Sequence, residues 1–126
     1  GKRRSEWAVP NEAYESACQD FLRNILAADR ASHMREEIAG FALRLAPAGA
    51  VNGLAQTLIR CTSPGIPDLY QGTEFWDFSL VDPDNRRPVD FPARRAALEA
   101  GESPAGLLSH WKDGRVKQAV IARALA

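Results

Sequence analysis

Hydrophobic residues recur at helical spacing through the first part of the chain. Asn11 is a good N-cap residue, and the apolar residues after it follow the i, i+3, i+4, i+7 pattern of a one-faced helix. The residues of this face are Tyr14, Ala17, Cys18, Phe21, Leu22, Ile25 and Leu26. A second stripe starts near Ser32. We expect Pro47 to end it, because the residue before a proline is pushed out of the helical region.

A third helical stripe occupies residues 48–62. It contains Asn52-Gly53, a pair that suits a hairpin turn, but the flanking residues do not alternate between apolar and polar. We therefore favour a helix here. Residues 1–62 are predicted to hold three helices, preceded by a frayed lead-in in residues 1–10.

The pattern changes in residues 63–91, which we call the central segment. It holds four of the eight prolines together with several aromatic residues. Long irregular segments in compact domains are usually functional or disordered, and this one is too aromatic for disorder. Residues 66–70 could form one short strand, which Pro67 would confine to an edge or a strand start. We expect an ordered loop that faces a ligand.

Helical signals return after the central segment. Phe91-Pro92 opens a short helix that ends at Gly101, and Ser103-Pro104 is a good N-cap and N1 pair for the next one. A last helix should run through residues 116–126. The fold class is thus mainly α, with five or six helices, at most one short strand and a long ordered loop.

Composition excludes several kinds of function. The chain has 16 basic and 16 acidic residues, so bulk charge does not favour binding to nucleic acid or to a membrane surface. We expect no membrane helix, because no apolar run approaches the roughly 20 residues that a span needs. Cys18 and Cys61 have no metal-ligand spacing, and we expect both to be buried, reduced thiols.

Polar residues are dense in the second half of the central segment. The oxygen-bearing ones are Asp82, Asp84, Asn85 and Asp90. They suggest a calcium site at first, but too few ligands are present, the turn glycine is missing, and Arg86 and Arg87 would repel a cation. An internal network of these arginines with the carboxylates explains the same residues. A polyhydroxyl ligand remains the functional alternative, and no metal or cofactor is expected.

Aromatic residues accompany these charges in the central segment. They are Tyr70, Phe75, Trp76 and Phe78. Each of them, taken alone, could be a core residue. A sugar site also requires such residues, because aromatic faces pack on pyranose rings and charged groups bind the hydroxyls. Glu74 and Asp77 are of the right type for glycosidic acid and base work, although their spacing does not indicate it.

A family resemblance rests on this segment. Residues 65–74 fit the pattern G-x-P-x-x-Y-x-G-x-E, which resembles the eighth strand and following loop of the catalytic barrel in the alpha-amylase superfamily, glycoside hydrolase family 13. The run through residues 75–91 is similar to the maltooligosyl trehalose synthase branch. The likeness extends upstream to residues 10–15, 21–22 and 52–56, and downstream to residues 111–117.

The resemblance implies a fold and an activity. The chain would be a helical fragment of a (β/α)8-barrel enzyme. It would consist of helices before strand eight (1–62), the strand-eight segment with an active-site rim loop (63–91) and closing helices (92–126). The branch moves the reducing-end α-1,4 linkage of a maltooligosaccharide to an α,α-1,1 linkage, by double displacement with an aspartate nucleophile and a glutamate acid/base.

The resemblance also limits what this chain can contribute. The catalytic carboxylates of the branch precede this region, so no catalytic residue is expected here and the chain alone should be inactive. The residues expected to bind substrate at the rim are Tyr70, Gln71, Glu74, Asp82, Asp84, Asn85, Arg86 and Arg87. We expect them to shape the reducing-end subsites and to exclude water.

The expected partners follow from the same resemblance. They are a maltooligosaccharide and the rest of the barrel, in a cytoplasmic protein, without nucleic acid or membrane. The uncapped end and the missing initiator methionine suggest a piece of a longer protein, whose apolar faces would favour self-association. Two alternatives stay open: another α-glucan hydrolase of the superfamily, or a free-standing helical glucan-binding or interaction module.

Overall fold

The computed structural model describes residues 3–6, 8–27, 32–80, 82 and 84–126. Its elements are α1 (Glu12–Leu26), α2 (Ser32–Thr62), a first 3-10 segment (Asp84–Arg86), α3 (Phe91–Ala100), a second 3-10 segment (Gly106–Asp113) and α4 (Arg115–Leu125). The prediction of a mainly α chain with five or six helices is confirmed. Within the described ranges there is no strand, and residues 66–70 have no regular secondary structure.

Helix α2 corrects the prediction that Pro47 ends a helix. The helix runs from Ser32 to Thr62 with Pro47 inside it. An internal proline removes a hydrogen bond and costs about 3 kcal/mol relative to alanine. Ala46, Ala48 and Ala50 surround it. Alanine has the highest helix propensity, which favours continuation of the helix on both sides of the proline. Asn52-Gly53 is helical, as predicted, but it lies in α2 and not in a separate third helix.

The chain divides into two compact units, Gly1–Pro47 and Ala48–Ala126. In the first unit, Asn11 caps α1 as predicted, with its side chain accepting a hydrogen bond from the Tyr14 N–H at 3.1 Å. In the second unit the buried hydrophobic residues are Leu107, Val116 and Ile121. They lie on the second 3-10 segment and on α4, so these two elements form the core of that unit.

The second 3-10 segment replaces the α-helix predicted after Ser103-Pro104. The Ser103 hydroxyl accepts the Gly106 N–H at 3.1 Å, but the N-cap position of the segment is Ala105, which makes no side-chain cap hydrogen bond. The backbone at His110 is non-helical (φ −118°, ψ 22°), and Gly114 ends the segment in the left-handed region (φ +87°). The segment is therefore interrupted before it can continue as a regular α-helix.

The predicted apolar helix faces are present but uncovered. Phe21 is 64% exposed, and Leu22, Leu26, Ile38 and Phe41 are exposed as well. No residue of α1 is buried. The prediction of buried thiols is consequently wrong for Cys18, which lies exposed on this face, while Cys61 is half-buried; neither forms a disulfide.

Helix α2 also has the length and composition of a membrane span. Residues His33–Thr62 reach a mean hydropathy of 1.3, with none of the apolar window buried. From the sequence, we expected no apolar stretch long enough to span a membrane. That expectation is corrected, because the two helices predicted on either side of Pro47 form one long helix. The core helix of a soluble protein has the same length and composition, so the finding does not by itself indicate a membrane.

Candidate functional site

A tight turn in residues 70–74, which we call the Gly72 turn, positions the first candidate residues. The Tyr70 carbonyl accepts hydrogen bonds from the Thr73 N–H at 3.1 Å and from the Thr73 hydroxyl at 2.6 Å. Gly72 has φ +90°, and a Cβ there would come within 3.0 Å of Val89 Cγ2. Glycine is thus required both by the backbone conformation and by the close approach. The turn holds Gln71 beside the second half of the central segment.

Arg94, from the first turns of α3, holds this turn. Its Nε donates to Glu74 Oε2 at 3.0 Å, and its Nη2 donates to the Gly72 carbonyl at 2.6 Å. Its guanidinium carbon lies 4.7 Å from the centre of the Phe75 ring, a cation–π distance. Glu74, expected at the substrate rim, is therefore brought to an internal ion pair. Arg94 belongs to no sequence motif, and the only signal that could have indicated its role was Glu74, an acidic residue without a local partner.

The predicted arginine–carboxylate network is confirmed for two pairs. Arg86 Nη2 donates to Asp82 Oδ2 at 2.8 Å. Arg87 pairs with Asp84 Oδ1, while Asp84 Oδ2 accepts the Leu80 N–H at 3.0 Å. Both oxygens of Asp84 are thus engaged within the segment. Short-range pairs like these fix the first 3-10 segment and occupy the carboxylates that a calcium ion would need.

Asp90 has a different function from the other carboxylates. It is the N-cap of α3, and its Oδ1 accepts the Ala93 N–H at 3.0 Å. Such a cap contributes about 1 kcal/mol to helix stability. The central segment is therefore anchored at its end to α3. Within the described residues, no group of three or more His, Cys, Asp or Glu side chains gathers as a metal site would.

Four of the eight predicted residues line one cleft of about 440 Å³, which we call the rim cleft. These four are Gln71, Asp84, Asn85 and Arg87; the others that line it include Trp76, Asp77, Phe78 and Arg94. The Oδ1 atom of Asn85 is shielded from solvent and has no hydrogen-bond partner among the described residues. Buried acceptors are normally satisfied. A hydroxyl or amine donor is the chemistry that would complete this site.

Tyr70 lies in a second cleft of about 320 Å³, which we call the lysine cleft. Lys117 and Asp77 also line it. Burial lowers the pKa of Lys117, and nearby Asp77 opposes this shift. Hydrogen bonds from the hydroxyl and N–H of Ser79 lower the pKa of Asp77. Tyr70 and Gln71, although consecutive, thus line different clefts. The other three predicted residues, Glu74, Asp82 and Arg86, line neither cleft.

The aromatic residues of the segment divide between support and exposure. Trp76 donates its indole N–H to the Trp111 carbonyl at 2.6 Å, and Phe75 lies under Arg94. Phe78 is 87% exposed and Tyr70 is partly exposed. Two of the four aromatics are thus engaged inside the chain, while Phe78 and Tyr70 are available to a ligand or to another part of a longer protein.

The chain was compared with protein families, curated proteins and solved structures. No family model matches the chain. Proteins of two Mycobacterium tuberculosis strains, named as candidate maltooligosyl trehalose synthases, are each 44% identical to it over 100 residues. The chain is similar to a segment of these maltooligosyl trehalose synthases. These matches cover 79% of the chain but only 12% of the relatives' length.

Solved structures agree with the sequence match to these synthases. The DSM5389 glycosyltrehalose synthase is 33% identical, with a TM-score of 0.84. The maltooligosyltrehalose synthase from Arthrobacter ramosus is 37% identical, with a TM-score of 0.74. Each match covers 98% of this chain and 16% of the solved chain. The resemblance of the central segment to maltooligosyl trehalose synthases is confirmed, and the chain spans about a sixth of the solved enzymes.

Proposed function

We propose that this chain forms part of an enzyme that makes maltooligosyl trehalose. Such an enzyme moves the reducing-end α-1,4 linkage of a maltooligosaccharide to an α,α-1,1 linkage within the same molecule. The observation that carries the proposal is the structural likeness along 98% of the chain to two synthases of this kind. The superfamily is then glycoside hydrolase family 13, with a retaining double displacement.

The chain's own contribution is the rim of the sugar site. Gln71, Asn85 and the Asp84–Arg87 pair line the rim cleft, and amide and charged groups of this kind bind sugar hydroxyls. Phe78 offers an exposed ring beside them. The catalytic carboxylates belong to the part of the enzyme outside this chain, so the chain by itself is expected to have no turnover.

The uncovered apolar faces fit the same proposal. Phe21, Ile38 and Phe41 would pack against the remainder of the barrel, which also accounts for the apolar composition of α2. In isolation, the same faces would drive self-association. Both cysteines are free, which is typical of a reducing compartment and supports a cytoplasmic location.

The test begins with the native gene product. Its intact mass should be several times that of this chain, because the relatives are much longer. The purified parent should consume the reducing ends of maltopentaose without a matching release of glucose. A rise in reducing ends would instead indicate an α-glucan hydrolase. A native product of 126 residues that binds glucan without turnover would indicate a free-standing module.

Arg86 does not line the rim cleft, but it was predicted to help exclude water from the sugar, and Arg86→Ala in the parent protein tests that role. Arg86 is exposed and pairs only with Asp82 among the contacts described, so its removal should leave the fold intact. If the loop excludes water from the reducing-end subsite, the ratio of hydrolysis to isomerisation should rise about threefold to tenfold. Arg95→Ala, at an exposed site on α3, is the matched control. An unchanged ratio would show that Arg86 does not exclude water from the reducing-end subsite.

A further inference from the structure

The Arg94 side chain connects the Gly72 turn to the helix that follows the central segment. Besides Glu74 and Gly72, its Nη1 donates to the Asp90 carbonyl at 3.0 Å. Each of the three guanidinium nitrogens therefore already donates to a protein oxygen. The side chain lines the rim cleft, but its hydrogen bonds are directed to the segment rather than into the open cleft.

The backbone of Arg94 is fixed as well. Its carbonyl accepts a hydrogen bond from Nε2 of Gln118 at 3.0 Å, and the polar residue Gln118 of α4 is buried. The side chain of Arg94 is only 16% exposed, and that of Glu74 is 28% exposed. An ion pair shielded to this degree is screened by solvent less than the Arg86–Asp82 pair on the surface.

We propose that Arg94 is the positioning residue for the substrate rim. Arg94 acts through the Gly72 turn. By binding both Glu74 and the Gly72 carbonyl, it fixes the position of Gln71 in the rim cleft. This inference rests on the proposed function, because it assigns the rim cleft to the sugar at the reducing end. Arg94 itself need not touch the sugar.

The planar guanidinium is the feature that makes this arrangement possible. Its donors diverge in a fixed fork and can bind a carboxylate and two carbonyls at once, while its face rests on the Phe75 ring. A lysine ammonium is a single point charge and would satisfy Glu74 without holding both carbonyls. Lysine should therefore restore part of the function, and an apolar side chain of similar length should restore none.

The experiment compares Arg94→Met, Arg94→Lys and Glu74→Gln in the full parent protein. Arg94→Met should raise the KM for maltopentaose about tenfold and lower kcat much less, with an intermediate KM for Arg94→Lys, since small misplacements of binding groups weaken orientation. Hydrogen exchange of the amides in residues 70–77 should rise in the same order. Arg95→Met on the exposed side of α3 should change neither quantity.

Each outcome decides the proposal. Equal KM and equal amide exchange for Arg94→Met and Arg95→Met would overturn it. If Arg94→Met does not fold, Arg94→Lys and Glu74→Gln carry the comparison, and native values for both would overturn it too. A parent that only hydrolyses maltopentaose would overturn the proposed function instead. The KM for that hydrolysis and the amide exchange would then still decide the positioning role of Arg94.

Discussion

Trp76 and Trp111 are joined by a hydrogen bond and an aromatic contact at once. The indole N–H of Trp76 donates to the Trp111 carbonyl at 2.6 Å, and the two rings meet edge to face with centres 6.4 Å apart at 78°. The two residues are 35 positions apart. This pair ties the central segment, two residues after the Gly72 turn, to the second 3-10 segment and thereby supports the wall of the rim cleft.

Replacing Trp76 by phenylalanine tests this tie. Trp76→Phe keeps an aromatic ring but removes the N–H donor, so the free energy of unfolding should fall by about 1–2 kcal/mol. Urea denaturation followed by circular dichroism measures the change. Phe78→Leu is the control, since Phe78 is 87% exposed and its replacement should be nearly neutral. Equal effects of the two substitutions would contradict the supporting role of Trp76.

Gly114 allows the central segment to approach α4 closely. A Cβ at this position would lie 2.7 Å from the backbone nitrogen of Trp76 and 2.8 Å from Phe75 Cβ. The backbone φ of Gly114 is +87°. Gly114→Ala should therefore cost about 3 kcal/mol or more, combining left-handed strain with overpacking. Denaturation curves of the purified variant give this value.

Gly101 provides the matched control for that prediction. It also has positive φ (+61°), but an added Cβ would meet nothing closer than the Glu99 carbonyl at 4.0 Å. Gly101→Ala should cost only the conformational strain, about 1–2 kcal/mol. The difference between the two variants isolates the cost of the close approach, and equal costs would show that the Trp76 contact is not tight.

Local patterns predicted the helices well and their breaks poorly. The Asn11 cap and the apolar spacing after it are local features, and α1 begins at Glu12 as they indicate. Pro47 is also a local signal, but it failed because a helix can continue through a proline when its neighbours favour helix strongly. Whether a proline ends a helix depends on competing terms that spacing alone does not measure.

The candidate site could be predicted only in part, for a different physical reason. Asp84 and Arg87 are three positions apart, so their pairing follows from local reach. The partner of Glu74 is Arg94, 20 positions away, and that of Trp76 is Trp111. Contacts over such separations depend on how the chain returns on itself, which periodicity does not specify.

Pro47→Ala tests the correction to α2. Alanine restores the missing backbone N–H and removes the clash of the proline ring, so the helix should gain up to about 3 kcal/mol. A higher midpoint of thermal unfolding, followed by circular dichroism at 222 nm, measures this gain. Pro92→Ala is the control, because Pro92 lies in the first turn of α3, where proline is well tolerated. A loss of helicity in Pro47→Ala would contradict the expected gain.

Lys117 should make stability depend on pH in the alkaline range. Burial lowers its pKa in the folded chain below the ordinary value of about 10.4. At pH values between the pKa in the folded chain and the ordinary pKa, the unfolded chain binds more protons. Lys117 therefore destabilises the fold at neutral pH, and this penalty disappears as pH rises toward the ordinary pKa.

Lys117→Met keeps the apolar stem but removes the charge. It should therefore be at least as stable as the native chain near neutral pH, and its advantage should shrink in urea titrations at rising pH. Lys112→Met, at an exposed site, should show no such trend. A constant difference between native and Lys117→Met chains would show that the Lys117 ammonium is not desolvated.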